Sequence, residues 1–296
     1  RSPRRSRRQP DDDGFLFCRD DAMTQQIRPF TVVGNGSANT ALPLPNVIAI
    51  SSGKGGVGKT WLSVTLCHAL ARNGGRVLLF DGDLGLANID IQLGLAPKHD
   101  LASVIAGRRS LKGTAFRYED GGFDIIAGQS GAGGLASLPP ARLVALRDEL
   151  MALAASYDWL VIDIGAGIDR TVRALLSRAG IGLVVTTDEP TALTDAYALI
   201  KVIKSERPEA DLRAVINKAA SSRDGERTYA TLLRACENFL KYSPPLAGVV
   251  RNDPHVRDTI RQQAPLLMRY PNSDAAGDVT TLAERLASLV PLRGVS

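Results

Sequence analysis

Short apolar runs recur along this chain at intervals that fit a layered α/β protein. Val47-Ile48-Ala49-Ile50 is the first; 76–80, 123–127, 159–164, 181–187, 212–216 and 246–250 follow. These runs are continuous in Val, Ile and Leu rather than alternating with polar residues, the pattern of strands buried on both faces of a parallel sheet. Between them the period changes to that of a helix. Residues 60–72 carry Leu62, Leu66, Ala69 and Leu70 on one stripe and close on Gly74-Gly75. Residues 139–156 open on Pro139, and further helices are predicted near 169–179, 191–206, 224–241 and 254–263. The alternation predicts an α/β fold: a single doubly wound, mostly parallel sheet with helices on both faces. Ligands of such sheets sit outside the carboxyl ends of the strands.

The first strand runs into Gly53-Lys54-Gly55-Gly56-Val57-Gly58-Lys59-Thr60, which fits the phosphate-binding loop of P-loop NTPases. Glycines at 53, 55, 56 and 58 allow a tight bend and close backbone approach to a phosphate. Successive N–H groups then share one concavity with the N-terminus of the following helix. The contact set expected for the nucleotide runs from Gly53 through Val57 to Trp61. Lys59 is expected to hold the β- and γ-phosphates, and the Thr60 hydroxyl to ligate Mg²⁺. Lys54 is a second lysine inside the variable stretch. It is either a solvated loop residue or a cation offered to a phosphate outside its own site.

Other chemistry-bearing residues follow predicted strands. Asp81-Gly82-Asp83 ends the second; one carboxylate suits a Mg²⁺-bound water, the other the orientation of an attacking water. Asp163 follows Trp159-Leu160-Val161-Ile162, a carboxylate carried to a metal by a buried strand. Gly165-Ala166-Gly167 behind it offers backbone N–H groups to a γ-phosphate. Asn217-Lys218 also ends a strand. The Asn217 amide suits either an adenine edge or a turn.

Charge and composition narrow the picture. The net charge of +5 over 296 residues is uneven: arginines crowd the first eight positions and aspartates follow. Residues 1–45 therefore read as a flexible leader, with Met23 a candidate start of translation. No basic stripe marks the remainder, so no specific nucleic-acid partner is expected. No apolar run is long enough to cross a membrane, and no secretory signal is evident. Cys18, Cys67 and Cys236 make no metal-ligand spacing, which argues against an iron–sulfur cluster. Residues 46–278 are expected to form the P-loop domain. The stretch 280–290 puts Leu282, Leu286, Leu289 and Val290 on one side and ends at Pro291 and Gly294. With only Arg285 and Arg293 nearby, this segment, 279–296, is either a membrane-surface helix or a helix packed on its own domain.

Together these residues resemble the deviant-Walker (SIMIBI) ATPases of the MinD/ParA superfamily over about 46–290. Within it they are most similar to the flagellar-number family called FlhG, FleN or YlxH. Asp81 to Leu95 resembles that family's switch I, Asp188 to Lys201 its Glu-Pro-Thr segment, and Gln262 to Ser273 its late helix–loop. The resemblance implies ATP and Mg²⁺ as cofactors, slow partner-stimulated hydrolysis and an ATP-dependent homodimer. Lys54 would cross to the partner's phosphates, with Lys59 and Asp83 completing the catalytic set and Asp81, Asp163 and Thr60 serving the metal. It further implies an FlhF-like GTPase, flagellar basal-body or transcriptional proteins as partners, and a cytoplasmic protein that binds the inner membrane reversibly. A division-site role of the MinD kind, another ParA-type positioning ATPase and a static nucleotide-bound regulatory module are the alternatives. Trp61 and Ile164-Gly165 depart from the family pattern, and 20–28 only loosely resembles its GTPase-activating motif.

Overall fold

The computed structural model describes residues 42–83, 89–128 and 138–290. The leader up to residue 41, the GTPase-activating motif sought at 20–28, residues 84–88 of the switch I stretch and the tail from Pro291 lie outside the described residues.

The strands are β1 (Leu44–Ser52), β2 (Val77–Gly82), β3 (Phe116–Tyr118), β4 (Phe123–Ile126), β5 (Trp159–Ala166), β6 (Ala179–Thr186), β7 (Leu212–Ala219) and β8 (Leu246–Arg251). They form one sheet in the order β3-β4-β2-β5-β1-β6-β7-β8. Every pairing is parallel except that of the short edge strand β3 with β4. β2, β5 and β1 lie side by side and parallel, so the segments leaving them meet at one edge of the sheet. That is where a doubly wound sheet opens a ligand crevice.

The helices are α1 (Lys59–Arg72), α2 (Ile89–Leu93), α3 (Leu101–Ile105), α4 (Pro140–Ala154), α5 (Arg170–Leu176), α6 (Pro190–Glu206), α7 (Ser222–Leu240), α8 (Pro254–Arg261), α9 (Leu266–Arg269) and α10 (Asp274–Leu289). Side-chain alternation sorts each continuous apolar strand onto two cores. Ile48, Ile50 and Val161 join α1 and α10 on one face. Val47, Ala49 and Ile162 join α4, α5 and α6 on the other.

The C-terminal segment differs from expectation. Its helix starts at Asp274, with the Ser273 side chain capping Ala276 N, so the boundary expected at 278/279 falls inside α10. Leu282 and Leu286 are 1% exposed against α1 and β8, and only Leu289 of the expected stripe faces outward. An amphipathic stripe fits a domain's own core as well as a lipid surface, and here the core covers it. Among the described residues no helix is long and apolar enough to cross a membrane.

Candidate functional site

β1, β2 and β5 end together, and their last residues build the site. The loop after β1 turns through Gly56 and Gly58, whose φ angles of 78° and 96° are left-handed. Gly58 has a second reason to be glycine: a Cβ there would stand 2.4 Å from the Asn217 amide nitrogen. An open cavity of about 1110 Å³ lies against this loop, walled on that side by Gly55, Gly56, Gly58, Lys59, Thr60 and Trp61. Gly53 sits deeper, packed so closely on the Asp195 backbone of α6 that a Cβ would overlap it at 2.2 Å.

Lys59 is buried in the first turn of α1. Burial pushes its ammonium pKa down, while the charges of Asp163 and Asp83 push it back up. Asp81 and Asp163 stand opposite each other in the β2–β5 register. Both are buried, and both carboxyl pKa values are raised, first by burial; Asp163 is pushed up to about 6. Asp163 accepts hydrogen bonds from Thr60 and from Ser63 Oγ at 3.0 Å. Asp81 Oδ1 accepts the Asp83 N–H at 3.2 Å, but Asp81 Oδ2 is buried without a partner among the described residues. An orphaned carboxylate oxygen beside a second carboxylate and a hydroxyl is a hard-oxygen set, suited to Mg²⁺ that keeps part of its water shell. Asp83 lines the cavity. It lies close to Gly165, where a Cβ would meet its carboxylate at 3.2 Å. Within the Gly165-Ala166-Gly167 stretch, the Gly167 N–H is donated to Ser52 O at 2.9 Å.

The two loop lysines part company. Lys54 is absent from the cavity wall. Its Nζ lies 2.5 Å from Glu189 Oε2 and 2.9 Å from Thr191 Oγ1, at the start of α6. This hydrogen bond and charge hold the exposed Glu189 carboxyl below its usual range. Lys54 is thus held in an exposed pair with its own chain and is not directed at its own phosphate site. Sequence reading missed the partnership, because 135 positions separate the two residues.

Asn217 is buried and its amide is engaged by the chain. Nδ2 donates to Val57 O at 2.8 Å, and Oδ1 accepts the Lys218 N–H at 2.9 Å. The far end of the cavity is made by residues the sequence reading passed over, among them Arg251, Asn252, Asp253, Pro254 and Val256. The Asp253-Pro254 pair, an N-cap aspartate before a helix-opening proline at a strand's carboxyl end, was the available signal. Asp253 caps α8 through the His255 N–H at 2.9 Å and accepts the buried Ala275 N–H of α10 at 3.1 Å. Arg251 pairs with Asp278 and Asp274 of the same helix at 2.9 and 2.7 Å.

Comparison with known proteins agrees with this geometry. Residues 48–266 match the CobQ/CobB/MinD/ParA nucleotide binding domain. The antiactivator FleN of Pseudomonas aeruginosa is 38% identical over 242 residues, 82% of this chain and 86% of FleN. The flagellum site-determining protein YlxH of Helicobacter pylori is 31% identical over 242 residues, 81% of each chain. The septum site-determining protein MinD of Pyrococcus horikoshii, solved with Mg-ADP, superposes with a TM-score of 0.71 at 27% identity, covering 85% of this chain and 99% of that one. With a glycine cradle, a buried lysine and a carboxylate pair suited to ATP and Mg²⁺, the chain belongs to the MinD/ParA family of P-loop ATPases, in the branch of FleN and YlxH.

Proposed function

We propose that this ATPase is a nucleotide-switched homodimer that regulates the number or placement of flagella. The observation that carries the switch is Lys54, a cradle lysine that is parked on Glu189 and Thr191 instead of serving its own cavity. In the ATP state Lys54 leaves that partner and reaches the phosphates of a facing subunit, as an arginine finger does in trans. Lys59 holds the β- and γ-phosphates, and Gly55, Gly56, Gly58, Thr60 and Trp61 wall the remainder of the phosphate end. Thr60 and Asp163 would hold Mg²⁺, with Asp81 ordering its water shell, and the ion would supply charge neutralisation to the phosphates. Asp83 accepts a hydrogen bond from the attacking water and aims it at the γ-phosphorus, as the bond to the β–γ bridging oxygen breaks. Loss of the γ-phosphate removes Lys54's target and frees the pair. The base lies toward the far end of the cavity.

Similarity to FleN and YlxH supports the flagellar assignment over a division-site role. A transcriptional regulator or basal-body protein, and an FlhF-like GTPase, fit as partners. The same reading has the ATP-bound pair join the inner membrane from the cytoplasm. Because Leu282 and Leu286 are buried, such contact needs either undocking of α10 or other residues. Burial of each leucine is worth about 1.5–3 kcal/mol, so undocking is costly.

The experiment is single-turnover hydrolysis with Asp83→Ala. The variant is expected to bind ATP normally, to accumulate the ATP-bound pair and to hydrolyse at least ~100-fold more slowly, the effect of losing an oriented catalytic group. Hydrolysis at the wild-type rate would remove Asp83 from the mechanism.

A further inference from the structure

The end of β7 breaks its own regularity beside the phosphate loop. In the β7–β8 ladder Ile216 pairs with Val249 and Ala219 with Arg251, so Asn217 and Lys218 stand opposite the single residue Val250. This is a bulge, and Lys218 within it has φ 57°, an uncommon value for a residue with a Cβ. Neighbouring strand side chains ordinarily point to opposite faces. Here both turn to the same loop and hold consecutive carbonyls. Lys218 Nζ donates to Gly56 O at 2.8 Å, and Asn217 Nδ2 to Val57 O at 2.8 Å.

A trans peptide unit is planar, with its C=O and N–H pointing in opposite directions. Holding the Gly56 carbonyl therefore fixes the direction of the Val57 N–H, and holding the Val57 carbonyl fixes that of the Gly58 N–H. The left-handed φ angles of Gly56 and Gly58 curve the loop so that such N–H groups gather on its concave side. We propose that Asn217 and Lys218, which also line the cavity, are positioning residues that clamp the cradle through its carbonyls and aim its N–H groups at the phosphates before nucleotide arrives. This rests on the reading that the cradle binds a polyphosphate, and it gives Asn217 a task independent of the base. It also gives the bulge and the unusual φ of Lys218 a purpose: backbone strain of this kind persists where the surroundings impose it, often at functional sites.

The test is calorimetric binding of ATP, ADP, GTP and inorganic tripolyphosphate to the full chain and to Lys218→Met and Lys218→Arg. Methionine keeps the length of the side chain and the backbone cost of the left-handed position while removing the donor. Lys218→Met should weaken ATP, ADP and tripolyphosphate by the same factor, roughly tenfold, the size of one lost hydrogen bond from a charged donor. The ATP-to-GTP preference should stay unchanged, and Lys218→Arg, which retains a donor, should recover most of the loss. The clamp is overturned if Lys218→Met binds ATP as well as wild type, if the ATP-to-GTP preference shifts, or if the loss grows from ADP to ATP. That last result would mean a direct contact of Lys218 with the γ-phosphate. Failure of wild type itself to bind ATP would instead overturn the nucleotide reading on which the proposal rests.

Discussion

The two ends of the cavity are built on opposite physical terms. At the phosphate end, Lys59 of the wall and Asp81 and Asp163 behind it are buried, and the carboxylates crowd each other across adjacent strands. Burial raises both carboxyl pKa values and leaves Asp81 Oδ2 without a partner among the described residues. At the far end, Asp253 and Arg251 are bonded to α8 and α10, and burial of their neighbours on α8 is modest. The first end carries an electrostatic cost that a ligand relieves. The second joins the cavity wall to the C-terminal helix and serves the fold. Buried polar groups are usually satisfied, so an unpartnered carboxylate oxygen next to a glycine cradle marks where function outweighs stability.

Substitutions on the two ends should therefore behave differently. The largest effect is expected from Lys59→Met, which removes the buried cation of the cradle. Titration calorimetry should find ATP affinity lowered by roughly 100-fold or more, since charged hydrogen bonds contribute about 1.5–3 kcal/mol each. An affinity within a factor of three of wild type would end the equivalence of Lys59 with a P-loop lysine. Next is Asp253→Ala at the other end. It removes a helix cap and the acceptor of the buried Ala275 N–H. Denaturant unfolding should show a loss of about 2 kcal/mol with tripolyphosphate binding almost unchanged. Equal stability would undo the contrast between the ends.

The smallest effect has the opposite sign. Asp81→Asn should stabilise the free protein by about 1 kcal/mol while abolishing Mg²⁺-dependent hydrolysis, the trade expected when a strained functional group is neutralised. The pH dependence follows the same logic. Asp163 binds its proton more tightly in the fold than in the unfolded chain, with a pKa moved from 3.8 to about 6. Its contribution to stability is therefore full below 3.8 and is lost as pH rises to about 6. Mg²⁺ needs the ionised form, so its affinity should rise through that window. Thermal melts of the metal-free protein that gain stability from Asp163 as pH rises would contradict the assignment.

Much of the phosphate end was legible because its chemistry is local. Glycines, Lys59 and Thr60 lie in one octet, and Asp81 and Asp163 each end an apolar run. The central strands were legible because burial on both faces leaves no polar interruption. Helices α2, α3 and α9, of five, five and four residues, are too short to express a period. The edge strand β3, of three residues, pairs antiparallel and carries no such run either. The early turns of α10 were hidden by Ala275, Ala276 and Gly277, small residues with no evident stripe; the two alanines pack fully buried in the core beside α1. The Asn217–Val57 bond and the Lys54–Glu189 pair span 160 and 135 positions. No local pattern encodes either.

The most direct measurement is the molar mass in solution by light scattering, with and without a non-hydrolysable ATP analogue and Mg²⁺. Wild type should double its mass only with the analogue, while Lys54→Ala should bind the analogue and stay single. Wild type that remains single at saturation, or Lys54→Ala that pairs as readily, would contradict a switch built on a lysine exchanged between subunits.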